Sequence, residues 1–143
     1  MERIFKILIF TDLDGSLLHR DTFKFDEIKN YLRELISKGV FIIPNTSKTE
    51  EEILEFNNEL GSNLPFISEN GAAINGLNLL NSDLPKELIL SREKDNLLNM
   101  FKNIVPINLQ NKCMWVSSME KKKQSLIFGL DDKKLNLALN RKY

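Results

Sequence analysis

An α/β fold built on a parallel sheet, followed by a shorter and more helical second part, is what this sequence predicts, and three observations carry that expectation. An apolar run, Ile4 to Phe10, is broken only by Lys6 and leads into Asp12-Leu13-Asp14-Gly15. A helical apolar repeat then precedes a second apolar run, Val40-Phe41-Ile42-Ile43, so the order is strand, helix, strand. A third short run, Leu64 to Ser68, ends at Glu69-Asn70-Gly71. Runs of this kind, without polar alternation, suit strands covered on both faces in a parallel sheet.

Taken in order, the first run places Asp12 at the carboxyl end of its strand, the edge where open α/β sheets bind ligands. Ile28, Tyr31, Leu32, Leu35 and Ile36 recur at three- and four-residue spacings and predict an amphipathic helix ended by Gly39. A right-handed crossover would make the first two strands parallel neighbours and bring Asp12 and Thr46 out at one edge. Thr49-Glu50-Glu51-Glu52 has the spacing of a capping box, and Ile53, Leu54, Phe56 and Leu60 form the stripe of a second helix stopped at Gly61. The three glutamates read as helix-dipole partners rather than catalytic groups. Asn75-Gly76 predicts a tight hairpin joining Ala72–Ile74 to Leu77–Leu80.

From Asp83 onward the pattern turns helical. Leu97, Leu98, Phe101, Ile104 and Val105 suit one helix, Met119 to Phe128 a second, and Leu135 to Tyr143 a third, with Asp131-Asp132 as a helix start. Residues 1–82 are therefore expected as one domain and 83–143 as part of another. Lys121-Lys122-Lys123 reads as a solvated helix face, and Met114 and Trp115 as packing residues.

The chemistry of the first turn is specific. A phosphate ester is anionic, so an attacking Asp12 carboxylate requires a cation such as Mg²⁺ to suppress repulsion. Asp14 has the spacing to act as general acid and then general base, and Gly15 lets the backbone pass close to phosphate oxygens. A calcium loop does not fit. With Gly15 as its invariant glycine, the first ligand position would be Phe10 and the closing glutamate position Asp21. A plain polar turn remains the structural alternative, since Asp and Gly are turn formers.

Asp12-Leu13-Asp14-Gly15-Ser16-Leu17 resembles the first motif of the haloacid-dehalogenase-like phosphatase superfamily, Asp-x-Asp-Gly-Thr/Ser-Leu. Pro44-Asn45-Thr46-Ser47-Lys48-Thr49 and Pro65-Phe66-Ile67-Ser68-Glu69-Asn70-Gly71-Ala72-Ala73-Ile74 look like the mannosyl-3-phosphoglycerate phosphatase branch, as does the stretch from Gly129 to Tyr143. The resemblance implies the amino-terminal half of a Rossmann-like core and the first part of an α+β cap. It implies Asp12 as nucleophile, Asp14 as acid/base, Mg²⁺ held by Asp12 and Asp14, and phosphate bound by Gly15, Thr46 and Ser47. Lys48 is left between an anionic-substrate contact and an exposed helix-start lysine, and Glu69 and Asn70 between substrate contact and a structural turn. His19, in the loop past the motif, is left between substrate contact and solvent.

The activity implied is hydrolysis of mannosyl- or glucosyl-3-phosphoglycerate to the glycosylglycerate and phosphate; another sugar phosphatase, or an inactive fragment, is the alternative. In this superfamily a lysine and a Gly-Asp-x-x-Asn-Asp acidic motif follow the cap, and neither occurs in these 143 residues. An incomplete chain is therefore expected, with its first strand at an open edge able to self-associate.

Composition narrows the partners. Twenty basic and twenty acidic residues cancel, so no global field recruits nucleic acid or an anionic membrane. The opening segment is too short and too interrupted to span a bilayer. A single cysteine, Cys113, cannot form an internal disulfide, which points to a reducing cytoplasm.

Overall fold

The computed structural model describes residues 7–143, so Ile4, Phe5 and the opening Met1-Glu2-Arg3 lie outside the described residues. The chain divides into two compact units, one ending at Leu90 and the other Ser91–Tyr143.

In the first unit, β1 (Leu8–Thr11) runs into the Asp12 loop, α1 (Asp26–Ser37) crosses over, and β2 (Phe41–Pro44) returns parallel to β1. The register pairs Leu8 with Phe41 and Thr11 with Pro44, and the Asn45 amide donates to the Thr11 carbonyl at 2.8 Å. Both strands therefore leave the sheet at one edge, as the strand-helix-strand order predicts. The helix stripe also forms, with Leu32 buried and Ile28, Leu35 and Ile36 packed against the core. Tyr31 falls off that stripe and is exposed.

α2 (Glu50–Leu60) follows with the complete Thr49/Glu52 capping box, and Gly61 ends it in the left-handed region at φ 75°. Its Ile53, Phe56 and Leu60 join Leu13, Leu18, Phe25, Leu32, Ile42, Leu64 and Phe66 in one cluster. The Phe25 and Phe56 rings meet at 4.9 Å between centroids. Burying each such side chain stabilises by roughly 1.5–3 kcal/mol.

β3 (Phe66–Ser68) is linked to the end of β2 by a parallel bridge between Asn45 and Ile67. It then pairs antiparallel with β4 (Ala73–Asn75), which pairs with β5 (Glu87–Ile89). The expected hairpin of 72–74 with 77–80 is not what forms. Leu77–Leu79 is a 3-10 turn, and the Gly76 amide donates to Lys86 at 2.7 Å, so the strand after the long loop takes the place beside β4. Gly76 is required there. At φ 75° a Cβ would stand 2.9 Å from the Pro65 Cα. This pairing carries the first unit past the 82/83 boundary expected from sequence.

β1 differs from the doubly covered strand that its composition suggests. Leu8, Ile9 and Phe10 are all exposed, Phe10 to 57%, and among the described residues β2 is the one strand hydrogen-bonded to it.

The second unit contains α3 (Lys94–Ile104), the short α4 (Ile107–Gln110), α5 (Lys121–Phe128) and α6 (Asp132–Leu139). Asp131 caps α6 by accepting from the Lys134 amide at 2.9 Å, the helix start read from sequence, but the helix stops at Leu139 rather than Tyr143. Trp115 packs edge-on against Phe101 at 5.1 Å, whereas Met114 is exposed. Buried Gln124 ties α5 to the Val116 carbonyl at 2.7 Å.

Candidate active site

The Asp12–Gly15 loop owes its form to one buried side chain. Leu13 is fully enclosed in the core, while its neighbours Asp12 and Asp14 are both exposed. The turn closes on Leu13, whose carbonyl accepts from Ser16 at 3.2 Å and from Leu18 at 2.8 Å, and Gly15 takes φ 74° within it. That left-handed conformation suits glycine. The Asp12 carboxylate accepts the Leu13 amide at 2.7 Å, which holds it at the strand end.

The second loop continues β2. Thr46 is 4% exposed; its amide donates to the Ile67 carbonyl at 3.1 Å and its carbonyl accepts from Asn70 at 3.1 Å. Ser47 is exposed beside it. The third loop closes on the second, with the Glu69 amide donating to the Lys48 carbonyl at 2.9 Å. Glu69 is buried, and Glu69, Asn70 and Gly71 take φ of 49°, 60° and 91° in succession. Two non-glycine residues in the left-handed region cost about 1 kcal/mol or more each, so the surrounding structure must hold this turn in place.

Asp12, Asp14, Gly15, Thr46, Ser47, Lys48, Glu69 and Asn70 thus lie on three loops at the carboxyl ends of β1, β2 and β3. Lys48 Nζ stands 3.2 Å from Asp14 Oδ1 and 3.2 Å from Glu52 Oε1, and 5.3 Å from the Phe23 ring centroid. Glu52 and Phe23 are the site neighbours that sequence reading does not assign. The i,i+4 spacing of Lys48 and Glu52 carries a signal for the first; nothing local to Phe23 marks the second. His19 lies in the following loop, its Nδ1 facing the amides of Asp21 at 3.2 Å and Thr22 at 3.4 Å. That loop borders a cavity of about 640 Å³ whose walls include Gly15, Ser16, His19 and Arg20.

Among the described residues no three His, Cys, Asp or Glu side chains cluster as a metal cage. The donors on the first loop are the Asp12 carboxylate and the backbone carbonyl of Asp14. That set fits Mg²⁺, a hard cation commonly held by one or two carboxylates, waters and substrate phosphate oxygens.

Residues 9–138 match the family described as haloacid dehalogenase-like hydrolase. The chain is 43% identical over 68 residues to a glucosyl-3-phosphoglycerate/mannosyl-3-phosphoglycerate phosphatase of Persephonella marina, covering 48% of this chain and 25% of that protein. It is 46% identical over 69 residues to a protein of the same name from Methanococcoides burtonii, again covering 48% and 25%. The chain thus spans well under two thirds of the length of these relatives. A haloacid dehalogenase-like hydrolase from Bacteroides thetaiotaomicron superposes with a TM-score of 0.53 at 17% identity, over 69% of this chain and 36% of that one.

Proposed function

The chain belongs to the haloacid dehalogenase-like hydrolases, and from that premise we propose that it is, alone or as part of a longer protein, a Mg²⁺-dependent phosphatase of a phosphorylated sugar derivative. Mannosyl- or glucosyl-3-phosphoglycerate is the substrate class, released as the glycosylglycerate and phosphate. The observation that carries this reading is the parallel β1–β2 pair, which brings the two aspartates and the Thr46 loop to one sheet edge. The relatives' names supply the substrate class.

Asp12 attacks phosphorus, the ester oxygen leaves, and the phosphoryl group becomes an aspartyl-phosphate. Asp14 gives its proton to the leaving oxygen, then takes one from the water that cleaves the intermediate and frees phosphate. Gly15, Thr46 and Ser47 hold the phosphate oxygens. Asp12 and the backbone carbonyl of Asp14 would hold Mg²⁺, which would neutralise charge on the phosphate. In this reading Glu69 and Asn70 contact the rest of the substrate.

Two broader properties belong to the same reading. The exposed, free Cys113 suits a reducing cytoplasm, and none of the described helices is long and apolar enough to cross a membrane. The exposed apolar edge of β1 favours self-association, and gel filtration that gives a monomer at all concentrations would count against it.

The test is phosphate release from both substrates with Mg²⁺, comparing the chain with Asp12→Asn. Loss of release in the variant by at least about 10³-fold supports the reading, because the amide removes the nucleophile with little change of shape. Equal background in both overturns it for this chain.

A further inference from the structure

We propose that Lys48 is a positioning residue whose ammonium holds the Asp14 carboxylate in its working orientation, and that Glu52 and Phe23 in turn hold Lys48. The catalytic meaning rests on Asp14 as the acid/base group proposed above; the holding itself is a matter of geometry.

An ion pair on a protein surface does little, because water screens the charges and the side chains pay entropy to stay together. The Lys48 pair differs from that case. Its side chain is only 15% exposed and that of Glu52 only 11%, whereas the Asp14 side chain is 40% exposed. The ammonium is thus gripped from the protein side and presents to a carboxylate on the open side. Glu52 is itself fixed. Its Oε2 accepts the Thr49 amide at 2.9 Å as the return half of the capping box, which leaves Oε1 for Lys48 at 3.2 Å. The Phe23 ring lies 5.3 Å from the same ammonium, within cation–π range. Phe23 takes φ 55°, an uncommon conformation for an aromatic residue.

Asp14 needs such a hold. It lies on a turn whose anchor, Leu13, is buried, and its own side chain points outward with free rotation about χ1 unless something restrains it. Proton transfer to a leaving oxygen requires the carboxyl group within hydrogen-bond reach, and a misplaced donor forfeits most of that contribution. Through Glu52, the amino-terminal turn of α2 becomes the fixed point from which the β1 loop is aligned.

The experiment measures the Asp14 χ1 rotamer through three-bond couplings from its side-chain carboxyl carbon to the backbone nitrogen and carbonyl. The wild-type chain is expected to show one rotamer. Lys48→Met is expected to lose it, giving averaged couplings while amide signals of α1 and β3 stay in place, and Lys48→Arg is expected to restore it. A single unchanged rotamer in Lys48→Met overturns the proposal. Should that variant fail to fold, Glu52→Gln keeps the cap and weakens the grip on Lys48, and unchanged Asp14 couplings there overturn it equally. The measurement needs no turnover, so a negative phosphate-release assay with Asp12→Asn is read separately from a negative result here.

Discussion

The two units use buried side chains very differently. In the first, ten apolar residues from α1, α2, the strands and the loops between them form one cluster, and Leu13 from the Asp12 loop is a fully buried member of it. In the second, Gln124, Leu135 and Ala138 are the buried residues, and only Leu135 is fully enclosed, while Leu126, Ile127 and Phe128 are exposed. A loop that must hold two carboxylates in place is anchored in a core; a helical unit with few enclosed residues has less to hold its elements in one arrangement. Precision in this molecule is therefore concentrated at the carboxyl edge of the sheet.

Substitutions at that edge and in that core should therefore cost far more than substitutions on the second unit's surface. Asp14→Asn should lower phosphate release on the order of 10²–10⁴-fold with little change in thermal stability, measured by steady-state kinetics and a melting curve. Ile53→Ala should destabilise the first unit by about 2–5 kcal/mol, read from the denaturant midpoint, since it opens a cavity under α2. Thr49→Ala should cost about 1 kcal/mol by the same measurement, as the cap to the Glu52 amide is lost. Leu126→Ala, at a position 84% exposed in the second unit, should change stability by no more than about 0.5 kcal/mol. A Leu126 effect as large as that of Ile53 would mean that the outward face of α5 is covered in solution and that the second unit has an enclosed core of its own.

What the sequence reveals here is mostly local. The β1–α1–β2 order, the capping box, Gly61 and the Asp131 cap all follow from spacing and residue type within a few positions. The errors are non-local. Asn75-Gly76 has the composition of a hairpin turn, yet its strand finds β5 across a loop, because Gly76 sits against Pro65 and its amide is taken by Lys86. Tyr31 fits the helical repeat but lies beyond the edge of the buried stripe. The composition of β1 predicts cover on both faces, and the described residues leave Leu8, Ile9 and Phe10 exposed. At the candidate site the loop positions are readable from strand ends. The Lys48–Asp14 pair is not, since it joins two loops whose approach depends on the sheet.

The carboxylate of Glu52 divides its two oxygens between a helix end and an ammonium, and this makes position 52 a tether of fixed length. Aspartate would be one carbon too short to serve both partners, and glutamine would keep the cap but carry no charge. Only glutamate does both, so a position that looks like an ordinary solvent-facing helix residue has almost no freedom to drift.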